Sequence, residues 1–299
     1  MLTTNFFKKI LYISSALTLI HIPIQAIAHE YWIEPEQFEY KTGENLKADL
    51  KNGEDFQGYS YSYIKDSTKI YSITSQSTTI TPNQRTGNRP AFNYKIKDQG
   101  LHIASFQNRF DRITFKSFEK FETYASAQGL DGIVERHEKR GLSKEEIVEE
   151  YARSAKALVQ VGDLESNSNT QNADQLTGLT YEFVVDKNPY SLSQNDALPL
   201  TLFYEGKPMA NKQIKVFRES LLEENDVEIF KLRTDENGKA KISLQGGGKF
   251  LLSSVHMIEG DDDPTTKIGE WQSYWASLVF GIKGSQERAS KLSKMLSDK

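Results

Sequence analysis

Two histidines, one glutamate and a short acidic run are the residues of this chain best suited to hold a metal ion. His29 follows Ala26-Ile27-Ala28, a small-x-small cleavage site. If the chain is cut after Ala28, His29 offers one metal two nitrogens, its α-amine and its imidazole. An α-amine has a pKa of about 7.7–8.0, so it gives up its proton readily to a metal. Nitrogen ligands suit nickel, copper and zinc. His256 is the natural partner: it ends a predicted strand and is followed by Glu259, Asp261, Asp262 and Asp263. A strand end lies where loops gather and sites form. Glu270 is the further carboxylate within reach of such a site. Asp261 and Asp263 are themselves candidates for a cation. Their run lacks the alternate acidic positions, the glycine and the closing glutamate of an EF-hand loop, and it reads more simply as a solvated loop.

The other polar and aromatic candidates have plainer readings. His102, between Leu101 and Ile103, reads as an exposed or hydrogen-bonded strand residue. His137 stands among Glu135, Arg136, Glu138 and Lys139 and reads as part of a solvated helix face. Trp271, Tyr274 and Trp275 offer ring faces to a sugar or another flat ligand, but core and edge packing explains at least Trp275. No G-x-S-x-G elbow, Walker A loop, H-E-x-x-H pair or dinucleotide-binding glycine fingerprint occurs. Cysteine is absent, which removes disulfides, thiolate metal sites and cysteine nucleophiles.

The elements that must position these residues follow from periodicity. Lys8 and Lys9, an apolar run from Ile10 to about Ile24 and the Ala26-x-Ala28 site make a cleavable signal peptide, residues 1–28. The expected location of residues 29–299 is therefore periplasmic or secreted, with no membrane span in the mature form. The two lysines leave with the signal and take the formal net charge of −4 to −6. A mildly acidic chain does not favour nucleic acid as a partner. The 16 Phe and 14 Tyr favour β-rich packing. Short alternating segments at regular spacing, separated by turns such as Asn52-Gly53 and Thr234-Asp-Glu-Asn-Gly238, predict a mainly β fold of two sandwich-like domains. The first, 29–190, carries a helical insertion at about 115–160. Phe115, Phe118, Phe121 and Tyr124 recur at helical spacing. A second short helix spans 131–139. Ser143 and Glu146 form a capping box that predicts a third helix to about Val159. The second domain covers 191–283, and a charged tail follows at 284–299.

Four segments together resemble a known family. They are His29-Glu-Tyr-Trp-Ile-Glu-Pro35, Gly129-Leu-Asp-Gly-Ile-Val-Glu-Arg136, the run Glu150–Gly162 and Trp271-Gln-Ser-Tyr-Trp-Ala-Ser-Leu-Val-Phe280. The family is one of exported bacterial proteins, formally a domain of unknown function, whose members are often labelled components of nickel or cobalt uptake transporters. The resemblance covers nearly all of the mature chain and implies a recurrent histidine at position 256. A looser resemblance covers 198–256. There Gly206-Lys-Pro208 and Thr234-Asp-x-x-Gly238 look like the strand and turn of a transthyretin-like or collagen-adhesin B-type sandwich.

Three functions are compatible with these residues. The first is a metal-binding accessory protein that takes nickel, cobalt, copper or zinc at His29 and His256, with Glu270, and passes it to a membrane metal transporter. The second is a non-catalytic module that binds a protein or a glycan. The third is a copper oxidoreductase built on an amino-terminal histidine brace. No catalytic residue is assigned, and the chain is not expected to be an enzyme.

Overall fold

The computed structural model describes residues 29–76, 78–164, 174–220, 226–260 and 269–282. The signal segment 1–28, the tail 284–299 and the acidic residues Asp261 and Asp263 lie outside these. In chain order the first strands are β1 (Glu30–Pro35), β2 (Glu39–Tyr40), β3 (Asn45–Glu54), β4 (Gln57–Tyr61), β5 (Thr68–Thr74), β6 (Thr79–Ile80), β7 (Phe92–Lys95), β8 (Gly100–Asn108) and β9 (Asp111–Phe115). Two helices follow, α1 (Phe118–Ala127) and α2 (Ile133–Lys139), and then β10 (Ile147–Val161). The remaining strands are β11 (Tyr181–Val185), β12 (Ala197–Tyr204), β13 (Lys207–Pro208), β14 (Gln213–Glu219), β15 (Val227–Arg233), β16 (Lys239–Ser243), β17 (Gly248–Glu259) and β18 (Trp271–Ile282).

The fold is mainly β and sandwich-like, as its periodicity predicts. A ten-stranded sheet runs β15-β14-β17-β18-β10-β8-β5-β6, with β2 and β9 also paired to β10. It draws strands from both sides of residue 190. Its central pair, β10 and β18, is parallel, as is the short pairing of β2 with β10, and the other pairings in the sheet are antiparallel. A sheet of β1, β3, β4 and β7 packs on one face, and a sheet of β11, β12, β13 and β16 packs on the other. Strand alternation divides each central strand between the two cores. In β18, Tyr274, Ala276, Leu278 and Phe280 enter the core shared with β11 and β12. Val279 enters the core shared with β1 and β3, while Trp271 and Trp275 pack under the helices. One face of the large sheet is thus covered by the β1–β3 sheet and, beyond it, by α1 and α2.

The third predicted helix is instead β10, the longest strand described, at 15 residues. Ser143 spends its hydroxyl on a local turn with Glu145, and Glu146 sits in the left-handed region at φ 55°. A helix cannot propagate through that backbone. The carbonyl of Ser143 also accepts from His137 Nε2 at 2.8 Å. The apolar run that follows matches helical spacing only because it is buried on both sides, and such strands lose their alternation. Phe115 likewise closes β9 rather than opening α1.

Lys156 shows how strongly β10 is held. Its side chain is fully buried, 2.7 Å from Asp174 and 3.3 Å from Glu182, and it donates to the carbonyls of Gln175 and Phe183. The two carboxylates accept backbone N–H groups from Gln175, Val185, Thr177 and Gly178. The turn expected at Asp235 forms as its chemistry requires. Asp235 accepts from the N–H groups of Asn237 and Lys239, and Gly238 takes φ 74° with no room for a Cβ beside Met209. Among the described residues no helix is long and apolar enough to cross a membrane.

Candidate functional site

The parallel ladder between β10 and β18 sets Glu149 beside Trp271, Tyr151 beside Ser273 and Arg153 beside Trp275. All six point to the face that carries the helices and the β1–β3 sheet. Those two covers leave a gap, and polar side chains collect in it. A small cavity of about 90 Å³ is lined there by His29, Ile113, Tyr124, Glu149, Arg153 and Trp275, among others.

Glu149 is the buried charge of this cavity, at 1 % exposure. Its Oε1 accepts the hydroxyls of Tyr124, at 3.1 Å, and Ser273. Ser273 in turn accepts from Trp275 Nε1 at 3.1 Å. Oε2 has no hydrogen-bond partner among the described residues. Burial pushes the carboxyl up to about 7, against the opposing pull of Ser273, Tyr124 and the Arg153 charge. The Arg153 guanidinium lies 4.6 Å from the Tyr151 ring centre, 5.7 Å from Tyr31 and 5.9 Å from Trp275. Its Nε is buried and has no hydrogen-bond partner among the described residues.

His29 stands at the mouth of the cavity. The β1–β3 register, with Glu30 opposite Gly53, brings Glu54 alongside it. His29 Nδ1 is 3.3 Å from Glu54 Oε1, and both side chains are about half exposed. An imidazole and a carboxylate are therefore already paired where a solvated cation reaches them.

The other sequence candidates do not join this group. His256 belongs to β17 and points to the opposite face of the large sheet. Its ring lies 4.8 Å from Tyr204 and 6.0 Å from Tyr181. Its Nδ1 is buried without a partner among the described residues, and burial, followed by the charges of Lys212 and Arg136, pushes the imidazole down to about 4. Those cations oppose a metal ion as they oppose a proton. Glu270 is occupied structurally. Its Oε2 accepts from the Val148 N–H at 2.7 Å, and its carbonyl accepts from Arg140 at 2.9 Å. The structure therefore corrects the expected convergence of His29, His256 and Glu270: a sheet separates the two histidines. Among the described residues no three or more His, Asp or Glu side chains form a metal-holding group.

His137 also departs from its expected setting. It is fully buried, tilted against Phe121 and stacked on Trp271, and accepts from Trp271 Nε1 at Nδ1, 3.0 Å away. Nε2 must then carry the proton that it donates to Ser143. His102 is buried too, with Nδ1 3.2 Å from the Gly100 carbonyl. Glu149, Arg153, Tyr124 and Glu54 are the site residues that sequence reasoning missed. The signal for the first two was present: read as a strand, Glu149-x-Tyr151-x-Arg153 places three polar groups on one face.

A family model for a domain of unknown function (DUF4198) matches residues 26–258, and the chain belongs to that family. No curated protein matches it. Trypsin-activated alpha-2-macroglobulin from Escherichia coli is similar at 9 % identity and a TM-score of 0.20, covering 86 % of this chain and 16 % of its own. This chain thus spans a small part of that protein. The D0-D1 domain of intimin is similar at 13 % identity and a TM-score of 0.19, covering 83 % of this chain and 97 % of its own. Dimeric latent PorU from Porphyromonas gingivalis is similar at 10 % identity and a TM-score of 0.19, covering 85 % of this chain and 20 % of its own.

Proposed function

We propose that this protein is an exported metal-binding accessory factor that takes a divalent transition metal at His29 and delivers it to a membrane transporter. The observation that carries the reading is the half-exposed pairing of the His29 imidazole with Glu54 at 3.3 Å. Cleavage after Ala28 adds the α-amine of the same residue. The donor set is then two nitrogens and one carboxylate oxygen, which suits nickel, cobalt, copper and zinc alike. Such a site, open to solvent, holds its cargo loosely enough to release it.

A copper brace needs a second histidine, and among the described residues none besides His29 lines this cavity. The delivery reading therefore has more support than the oxidase reading. Calorimetric titration of the mature protein with nickel, cobalt, copper and zinc tests it. Glu54→Gln is expected to weaken binding about tenfold or more, whereas His256→Ala leaves it unchanged. A Glu54→Gln protein that binds as the wild type does, or a His256→Ala protein that loses the metal, overturns this ligand set.

A further inference from the structure

The buried triad of Lys156, Asp174 and Glu182 is placed for a reaction of its own. Lys156 stands beside Leu278 of β18, on the face of β10 that looks into the core shared with β11 and β12. The three side chains are at most 1 % exposed. Two carboxylates thus share one ammonium inside the protein, where attraction only partly offsets the cost of removing charge from water.

The two carboxylates are held differently. Glu182 is satisfied without the lysine: its oxygens accept from the Thr177 N–H and hydroxyl and from the Gly178 N–H. Asp174 accepts one N–H on each oxygen, from Gln175 on Oδ1 and from Val185 on Oδ2. Burial pushes the Asp174 carboxyl up, toward its neutral form, against the pull of Lys156. Lys156 Nζ lies 2.7 Å from Oδ1, so the carboxyl carbon, one C–O bond further, is within roughly 4 Å of the amine. Well-oriented groups of one molecule reach effective concentrations of about 10⁵–10⁸ M. A buried site also shields the product from hydrolysis.

We propose that Lys156 and Asp174 condense into an intramolecular amide, a covalent cross-link between β10 and the segment that enters β11. One Nζ proton passes to Asp174 Oδ1 and a second to Glu182 Oε2, 3.3 Å from Nζ. The neutral amine attacks Cγ, the Nζ–Cγ bond forms, and the Val185 N–H steadies the charge that develops on Oδ2. Glu182 returns its proton to Oδ1, the Cγ–Oδ1 bond breaks and water leaves. No oxidant or co-reactant is consumed. The amide removes two buried charges, and its remaining N–H has the Phe183 carbonyl, 2.9 Å from Nζ, as an acceptor. In a chain without cysteine the bond ties the fold as a disulfide would. This goes beyond the metal reading and uses neither His29 nor Glu54.

Intact mass spectrometry of the full mature protein, followed by tryptic mapping, tests the cross-link. The mass is expected to fall one water below that of the sequence. The map should contain a branched peptide joining Lys156 to Asp174 and show no cleavage after Lys156. Glu182→Gln keeps the side-chain shape and cannot take up the proton. It should cut the cross-linked fraction about tenfold or more in protein that circular dichroism shows to be folded. Lys156→Met should have the full mass of its sequence. The proposal fails if the wild type has its full sequence mass, if the lost water maps elsewhere in the chain, or if folded Glu182→Gln is cross-linked as completely as the wild type.

Discussion

The replacement Glu149→Gln isolates the energetic cost of burying one carboxyl beneath His29. In the folded protein the Glu149 carboxyl titrates at about 7, raised from an ordinary value of 4.5 by burial. Between those two pH values the folded chain holds a proton that the unfolded chain has released. Wild-type stability therefore falls as pH rises through this window, and the loss is complete above about pH 7. A shift of that size corresponds to about 3 kcal/mol. Glutamine keeps an oxygen for the Tyr124 and Ser273 hydroxyls and carries no charge. Its NH₂ replaces the unbonded Oε2, which offsets the variant by an amount that does not depend on pH. The pH-dependent part remains: relative to wild type, the variant gains about 3 kcal/mol between pH 4.5 and pH 8. Urea unfolding of both proteins across that range measures it. Other buried groups that titrate, such as Glu30 and Asp174, are common to both proteins and cancel in the difference. A stability difference that is flat with pH, or that grows toward acid, refutes the reasoning.

Further predictions follow from the same buried groups. Lys156→Met leaves Asp174 and Glu182 buried without their cation and should cost about 3–5 kcal/mol in urea unfolding, because an unpaired buried charge is expensive. Trp271→Phe removes the donor to His137 Nδ1 and should cost about 1–3 kcal/mol beyond its lost packing. The replacement His137→Phe in the same background, measured in the same unfolding assay, should recover part of that cost. His256 titrates at about 4 when folded and near 6.5 when unfolded, so its contribution is fully present above 6.5 and lost as pH falls toward 4. Thermal unfolding of His256→Leu should show a shallower loss of stability over that interval than wild type.

Much of the strand pattern was legible in the sequence, because most strands here bury one side and alternate. β3 shows it plainly, with Leu46, Ala48 and Leu50 buried between less buried neighbours. β10 was not legible, for a physical reason. Covered on both faces, it is largely buried on both, and Ile147, Tyr151, Ala155 and Leu158 fit a helix as well as a strand. The capping box at Ser143 reinforced the wrong period, since a serine that caps a helix can equally close a turn. That misreading hid Glu149 and Arg153, whose shared face appears only with a period of two. His29 was recognisable from the cleavage signal alone. Its partner Glu54 was not, because strand register decides which carboxylate of β3 lies beside it. His256 drew attention as a histidine at a strand end, but only the three-dimensional layering shows that the large sheet stands between it and His29.

The central claim is an amino-terminal metal site at His29, and one comparison tests it most directly. The exported protein, with its amino terminus verified by mass spectrometry, is titrated calorimetrically with nickel beside the same protein carrying one extra glycine before His29. The account predicts one-to-one binding by the first and its loss by the second, because the added residue moves the α-amine away from the imidazole. Equal binding by both proteins, or binding by neither, contradicts it.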